Sequence, residues 1–518
     1  MTESSFVKTG VAGLDSILLE GIPYTNVILV QGGAGTGKTL LGTEFIYRGI
    51  TEYNEPGLIV TFETSPEKLV RDAAHFGWDL ERLEQANKLK VIFTSPQVFE
   101  TELRSPDSLL LETAAELGAG RIFIDGIGLL RPVTNSPYPL PWNGPGSYRE
   151  LLQQLLQGLD REKLTTMFSH ESSTLAESQA TLEIAAFLAD TVIGLGYDRD
   201  DRLAHRTLEI VKSRGQNYVK GKHTLRITAG KGLEVFRRVQ APLIYKREQP
   251  TSRVKRSVIE IPALDDLIGG GLYDGSTTMV VGISGAGKTV LGMQFLAEGA
   301  IKQQKRGLLV SLDEHPAQII RNAETLGIDL QALMDSGMLQ IFYESPQELE
   351  IDPHYDRLVR MIEERNIQRL VIDGVTTYST ALVDQRAYRD FFHAIVAFCK
   401  DRLLTALFSY ENPELFGLST YMPEFRVNSI VDNIMLLSLV ELGNTLHRSI
   451  SVVKSRGCRH EFATREFTIG NGGISLLSVD ENAVLSAQPI ESYSSLLSRA
   501  PTRVSSRQRR AVPPGVGD

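Results

Sequence analysis

The chain spells the pattern G-x-x-x-x-G-K-[ST] twice, as GGAGTGKT from Gly32 to Thr39 and as GISGAGKT from Gly282 to Thr289. Such a turn wraps its backbone around an anion and aims its amides inward, so it belongs where a strand hands over to a helix. Two of them demand two strand–turn–helix units. The flanks agree: VAGLDSILLEGIPYTNVILVQGGAGTGKTLLGTEF and IPALDDLIGGGLYDGSTTMVVGISGAGKTVLGMQF match Leu14-Asp15 to Leu264-Asp265 and Lys38 to Lys288, all at an offset of 250. RDAAHFGWDL and RNAETLGIDL keep that offset, which drifts to 248 between Asp125 and Asp373, to 240 between FSHE and FSYE, and to 242 between the two VKSRG segments. The chain is therefore a duplicated domain whose copies differ by small loop insertions.

Each copy alternates short apolar, β-rich runs (NVILVQ, GLIVTF, KVIFT, RIFID; TMVVGI, GLLVSL, LQIFY, RLVID) with stretches of helical period. Strands alternating with helices predict an α/β fold, a mostly parallel sheet covered by helices on both faces. With a phosphate loop after the first such strand, the expectation is tandem RecA-like P-loop NTPase domains. At 518 residues the chain exceeds what one core supports. The polar, proline-containing stretch EQPTSRVKRSV, residues 248–258, sets the expected boundary, giving domains at 1–247 and 248–483 and a tail at 484–518.

The motifs name candidate chemistry. Gly32, Gly33, Ala34, Gly35, Thr36 and Gly37, with Gly282, Ile283, Ser284, Gly285, Ala286 and Gly287, would cradle the phosphates of ATP. Lys38 and Lys288 would reach the β and γ phosphates, and the hydroxyls of Thr39 and Thr289 would help hold Mg²⁺. RIFID and RLVID each end on an aspartate, Asp125 and Asp373, the expected second metal partner. An aspartate after a strand also suits a turn, but equivalent placement in both copies favours the metal. Hydrolysis needs a carboxylate to orient water, and the next strand ends acidic in each copy: VTFETS offers Glu63 followed by Thr64, VSLDEH the adjacent pair Asp313 and Glu314. Those acids also suit helix starts. Lys212, Arg214, Lys454 and Arg456 of the VKSRG segments read either as solvated charges or as cations supplied to a neighbour's ATP, which requires an oligomer.

Composition narrows the classes. A net charge of −9 argues against a broadly basic nucleic-acid surface, leaving a DNA-processing RecA-type ATPase as a minority reading beside an ATP-assembled scaffold. Cys399 and Cys458 are the only cysteines, which excludes a four-cysteine zinc site and a disulfide framework. MTESSFVKTG lacks the apolar core of a signal peptide, and no run of 18 or more apolar residues suggests a membrane span; the expected location is cytoplasmic.

Together the tandem loops, the LD-x-x-L openings, FGWDL, the acidic strand ends, both VKSRG segments and the tail SYSSLLSRAPTRV resemble the KaiC circadian-clock ATPase family over nearly the whole chain. The resemblance implies a double-ring homohexamer with ATP at subunit interfaces, slow hydrolysis in both rings, and serine/threonine autokinase and autophosphatase activity in the second domain. It implies that Lys212, Arg214, Lys454 and Arg456 reach the adjacent subunit's ATP. The family's phosphorylated Ser-Thr pair aligns with Asn428 and Ser429 of RVNSIVDN, leaving Ser429 as the one hydroxyl, with Glu314 as candidate base and Asp313 its neighbour. The first copy places Ala186 and Phe187 there, so only the second offers an acceptor. Glu63-Thr64 departs from the adjacent glutamates typical of the family. A KaiB-like partner on the first domain follows from the resemblance, although residues 95–112 diverge from the usual segment. The basic tail RQRRAVPPGVGD does not resemble the KaiA-recruiting segment, which disfavours a KaiA-like partner.

Overall fold

The computed structural model describes residues 6–104, 108–130, 147–173, 176–199, 204–240, 255–382, 384–412, 430–442 and 445–477. The chain divides into two compact units, Met1–Val239 with Glu350–Asp356, and Gln240–Leu349 with Arg357–Asp518.

In the first unit, β1 (Val27–Gly32), β2 (Gly57–Thr61), β3 (Leu89–Phe93), β4 (Arg121–Asp125), β5 (Thr165–Glu171), β6 (Thr191–Arg199), β7 (Ala204–Ser213), β8 (Lys222–Thr228) and β9 (Gly232–Phe236) form one sheet. Its order is β9-β8-β7-β6-β1-β5-β4-β2-β3. From β6 to β3 all neighbours are parallel, while β6 to β9 run as an antiparallel meander.

The continuous apolar runs follow from burial on two faces. Ile28 and Val30 of β1 point into one core with Ile59, Phe123 and Met167, where α1 (Lys38–Tyr53) lays down Leu41, Phe45, Ile46 and Ile50. Leu29 points the other way, into a core with Leu58, Val60, Ile122, Ile124 and Phe168 beneath α2 (Tyr148–Arg161), whose Leu151, Leu155 and Leu159 recur at four-residue spacing. Each fully buried side chain of this kind contributes about 1.5–3 kcal/mol. The two cores thus pin the end of β1, where the phosphate loop begins.

The second unit repeats the plan with β10 (Thr277–Gly282), β11 (Gly307–Ser311), β12 (Leu339–Tyr343), β13 (Arg369–Asp373), β14 (Thr405–Glu411), β15 (Asn433–Leu442), β16 (Thr445–Ser455), β17 (Thr464–Gly470) and β18 (Gly473–Leu476). The order β12-β11-β13-β14-β10-β15-β16-β17-β18 is that of the first sheet. In both, the phosphate-loop strand lies centrally and one strand separates it from the strand ending in aspartate. This is the RecA-like arrangement expected from the sequence.

Candidate nucleotide sites

Strand β1 ends at Gly32 and α1 begins at Lys38, so the first motif is the turn between them. Gly35 and Gly37 take φ of 74° and 105°, conformations that other residues resist, and no side chain caps α1. The first-turn amides of Gly37, Lys38 and Thr39 are left without helical acceptors and bound a concave anion site together with Gly33, Ala34 and Thr36. The second motif does the same between β10 and α3 (Lys288–Gln303), with Gly285 and Gly287 at φ 76° and 109°, between which and Gly282 lie Ile283, Ser284 and Ala286. Lys38 Nζ folds over its turn to donate to Gly33 O at 2.8 Å. Lys288 Nζ donates to Gly282 O at 2.9 Å and Ile283 O at 2.7 Å. Burial lowers the pKa of both lysines, opposed by Glu171 and Asp125 in the first site and by Glu411 and Asp373 in the second.

The metal candidates meet in each copy. Thr39 Oγ1 donates to Asp125 Oδ2 at 2.9 Å, and Thr289 Oγ1 to Asp373 Oδ2 at 2.8 Å. Among the described residues no group of three or more His, Cys, Asp and Glu could enclose a metal. A hydroxyl and one carboxylate fit instead an ion such as Mg²⁺, which keeps several waters and takes further oxygens from a nucleotide. A third member escaped the sequence reading. Ser169 Oγ donates to the other oxygen of Asp125 at 2.5 Å and accepts from Gly126 N at 2.8 Å; Ser409 does the same for Asp373 and Gly374, at 2.5 and 2.8 Å. Its signal lay in the FSHE/FSYE repeat, which places a serine on the strand beside each aspartate. Burial raises the pKa of Asp125, and the hydroxyls of Ser169 and Thr39 oppose that rise.

At the hydrolytic position the copies part. Thr64 and Glu314 occupy the same turn, their amides bonded to Thr61 Oγ1 at 3.2 Å and Ser311 Oγ at 3.0 Å. In the second site Glu314 Oε2 accepts from Asn322 Nδ2 at 3.2 Å, and Asp313 Oδ1 accepts from Thr377 Oγ1 at 2.6 Å. Partial burial raises the pKa of both carboxyls and the charge of Asp373 adds to it, while Asn322 and Thr377 act the other way. In the first site Glu63 is exposed and Thr64 is not ionisable. A cleft of about 260 Å³ opens there, lined by Thr39, Thr43, Thr64, Lys68 and Asp72 among others.

The VKSRG cations leave the far end of the sheet. Ser213 pairs with Thr191, which pairs with Ile28, whereas the loop residue Gly32 pairs with Leu195. Four residues of strand separate the two ends, about 13 Å. Lys212 Nζ donates to Ala186 O at 2.9 Å and Ala189 O at 2.6 Å, closing the C-terminal end of α-helix Ala176–Leu188, and Arg214 Nη2 donates to Phe187 O at 3.0 Å. Arg214 also lies 3.5 Å from Asp190. In the second unit Lys454 Nζ donates to Val431 O at 2.7 Å and Arg456 stands 3.9 Å from Asp432, again opposite the end of β10. Ser429, the expected acceptor, lies outside the described residues, immediately before Ile430. No described helix is long and apolar enough to cross a membrane.

The family model described as "ATPase: KaiC" matches residues 7–240 and 258–481, one match per copy. The chain is 30% identical over 504 residues to the circadian clock oscillator protein KaiC of Parathermosynechococcus lividus, covering 96% of this chain and 88% of that one. It is 28% identical over 505 residues to KaiC 1 of a Synechocystis species, covering 96% and 92%. With KaiC of Prochlorococcus marinus it shares 30% over 473 residues, covering 90% and 91%.

Proposed function

The chain belongs to the KaiC ATPase family, and from that premise we propose that it is a clock or signalling ATPase that works as a homohexameric double ring. It binds Mg²⁺–ATP at subunit interfaces, hydrolyses it slowly, and phosphorylates and dephosphorylates itself in the second domain at Ser429.

One observation carries the reading: in both copies the VKSRG cations sit at the opposite end of the sheet from their own phosphate loop. A cation about 13 Å away along a rigid strand cannot follow charge developing on its own γ-phosphate, but it can face that of an adjacent copy. The hydroxyl–carboxylate pairs, Thr39 with Asp125 and Thr289 with Asp373, support Mg²⁺. The carboxylates Asp313 and Glu314 support proton abstraction in the second site, where Glu314 is the candidate base toward Ser429 of the ring. Glu63 would orient water in the first. Strand β3 is an edge of the first sheet, with Phe93 53% exposed, and residues 95–112 follow it; this is where a KaiB-like partner would dock.

The test is complementation between defective copies. Arg214→Ala subunits and Lys38→Ala subunits should each be nearly inactive in first-site hydrolysis, and mixing them should restore part of it, because some interfaces then pair an intact loop with an intact cation. Absence of restoration in mixed assemblies of verified mass rejects cations acting between subunits. Phosphate mapping after incubation with Mg²⁺–ATP should find Ser429 modified; an unmodified Ser429 rejects the kinase part.

A further inference from the structure

The two copies exchange a carboxylate between two positions. At offset 250, Glu314 and Asn322 of the second site correspond to Thr64 and Asp72 of the first. In the second site these side chains touch, Asn322 Nδ2 donating to Glu314 Oε2 at 3.2 Å. The position on the helix after the acidic turn therefore aims at the position on the turn. The first copy keeps that geometry, with helix Pro66–Ala74 in place of Pro316–Thr325 and the same hydroxyl-bonded turn, but inverts the chemistry. The turn keeps Glu63 but loses the second carboxylate of the pair, and the helix gains one.

We propose that Asp72 is the second water-positioning carboxylate of the first ATPase site, replacing the one that Thr64 cannot supply. This rests on the reading that the first site hydrolyses ATP. Asp72 lines the same cleft of about 260 Å³ as Thr64 and Thr39. Arg71 Nε and Nη2 both bond to Asp72 Oδ1, at 3.1 and 2.9 Å, and hold the carboxylate from its outer side. Its Oδ2 has no hydrogen-bond partner among the described residues, leaving an acceptor for water in the cleft. Thr64 offers a hydroxyl across from it, which can donate to such a water or to the carboxylate itself. A carboxylate on a helix that lines the cleft can serve water as well as one on the turn, because orientation and hydrogen-bond reach decide its effect.

The experiment is a swap cycle in the full-length chain carrying Glu314→Gln, so that the first site dominates turnover. Asp72→Asn should lower kcat by about tenfold or more with KM for ATP nearly unchanged. Adding Thr64→Glu to Asp72→Asn rebuilds the Glu–Asn pair of the second site and should recover most of that loss. Arg71→Ala, which removes only the outer clamp, should cost less than Asp72→Asn. A structural role for Asp72 predicts no such recovery from a glutamate on a different element. Unchanged kcat in Asp72→Asn, or loss that Thr64→Glu does not recover, overturns the inference. Lys38→Ala separates the two levels: if it leaves turnover intact, the first-site reading falls and this inference with it, whereas its loss beside an unaffected Asp72→Asn removes Asp72 alone.

Discussion

The two sites share their phosphate grip and differ in how they hold carboxylates. Thr39–Asp125–Ser169 and Thr289–Asp373–Ser409 superpose bond for bond. Beyond that triad the second site fixes Asp313 to Thr377 and Glu314 to Asn322, whereas the first has Leu129, with no hydroxyl, at the place of Thr377 and moves a charge to Asp72. Gly374 shows how tightly the second pair is set: its φ is 84°, and a Cβ added there would stand 2.1 Å from Asp313 Oδ2. Duplication has thus kept the loop and its Thr–Asp–Ser bonds and let the neighbouring carboxylates diverge. Binding needs one geometry, while orienting water and abstracting a hydroxyl proton need different ones.

The sharpest way to break this comparison is to disable one grip at a time. On the proposed reading each phosphate-loop lysine would make charge-assisted bonds that strengthen as charge grows on the transferring phosphoryl group, so Lys→Ala should cost its own site about 10²–10³ in rate. Lys288→Ala should abolish phosphate incorporation while first-site hydrolysis continues, and Lys38→Ala should do the converse. ATP turnover and radiolabel incorporation, measured on both variants, check it. If Lys288→Ala removes nearly all hydrolysis as well, the first copy is a binding platform and the division of labour drawn here is wrong.

A smaller effect is expected from the serines. Ser169 and Ser409 touch no expected ligand; each bonds the aspartate proposed to meet Mg²⁺, and outer partners of that kind are worth about 10–100-fold in metal affinity. Ser169→Ala and Ser409→Ala should raise the Mg²⁺ concentration for half-maximal activity of their own sites by amounts of that order, with little change at saturating Mg²⁺. Equal effects would confirm that the two triads are equivalent. Unequal ones would show that the copies diverge at the metal as well as at the carboxylates.

Much of this was legible in the sequence because repetition doubles weak signals. The parallel α/β plan, the phosphate turns and the Thr–Asp pairs all follow from motifs that recur at nearly constant offset. What stayed hidden depends on neighbours that pairing brings from elsewhere in the chain. RIFID and RLVID read as strands whose letters do not say where the leading arginine goes, yet Arg121 and Arg369 are fully buried. Arg121 Nη1 bonds Phe45 O and Nε bonds Glu55; Arg369 bonds Phe295 O and Gln303 Oε1 instead, and burial lowers its pKa to about 10. Such an arginine is tolerated because two of its three nitrogens reach oxygens from elsewhere in the chain, Phe45 O and the Glu55 carboxylate for Arg121 and Phe295 O, Val258 O and Gln303 Oε1 for Arg369, a fact with no local pattern. Ser169 and Ser409 were missed for the same reason. Asp72 carries no signal of its own in the sequence; the bond from Asn322 to Glu314 shows where that position points.

The comparison also extends to the core, where the expected effect is the smallest of the three. Glu44 on α1 is fully buried, accepting from Leu233 N at 2.8 Å and Arg48 Nε at 3.3 Å; its counterpart Gln294 accepts from Ile474 N at 2.7 Å. Burial raises the pKa of Glu44 from 4.5 to about 7, against the pull of Leu233 and Arg48. The folded state therefore binds more protons than the unfolded state between those values, so stability falls as pH rises through that window and levels off above it. Between pH 6 and pH 8 the loss is about 1 kcal/mol, or roughly 2–4 °C in Tm for a domain of this size. Glu44→Gln copies the second domain and should flatten that slope, at the cost of the Arg48 pair. Thermal denaturation of both chains across this range measures it. A slope that survives the substitution would place the pH dependence elsewhere, and with it one more difference between the copies that is not at the phosphate.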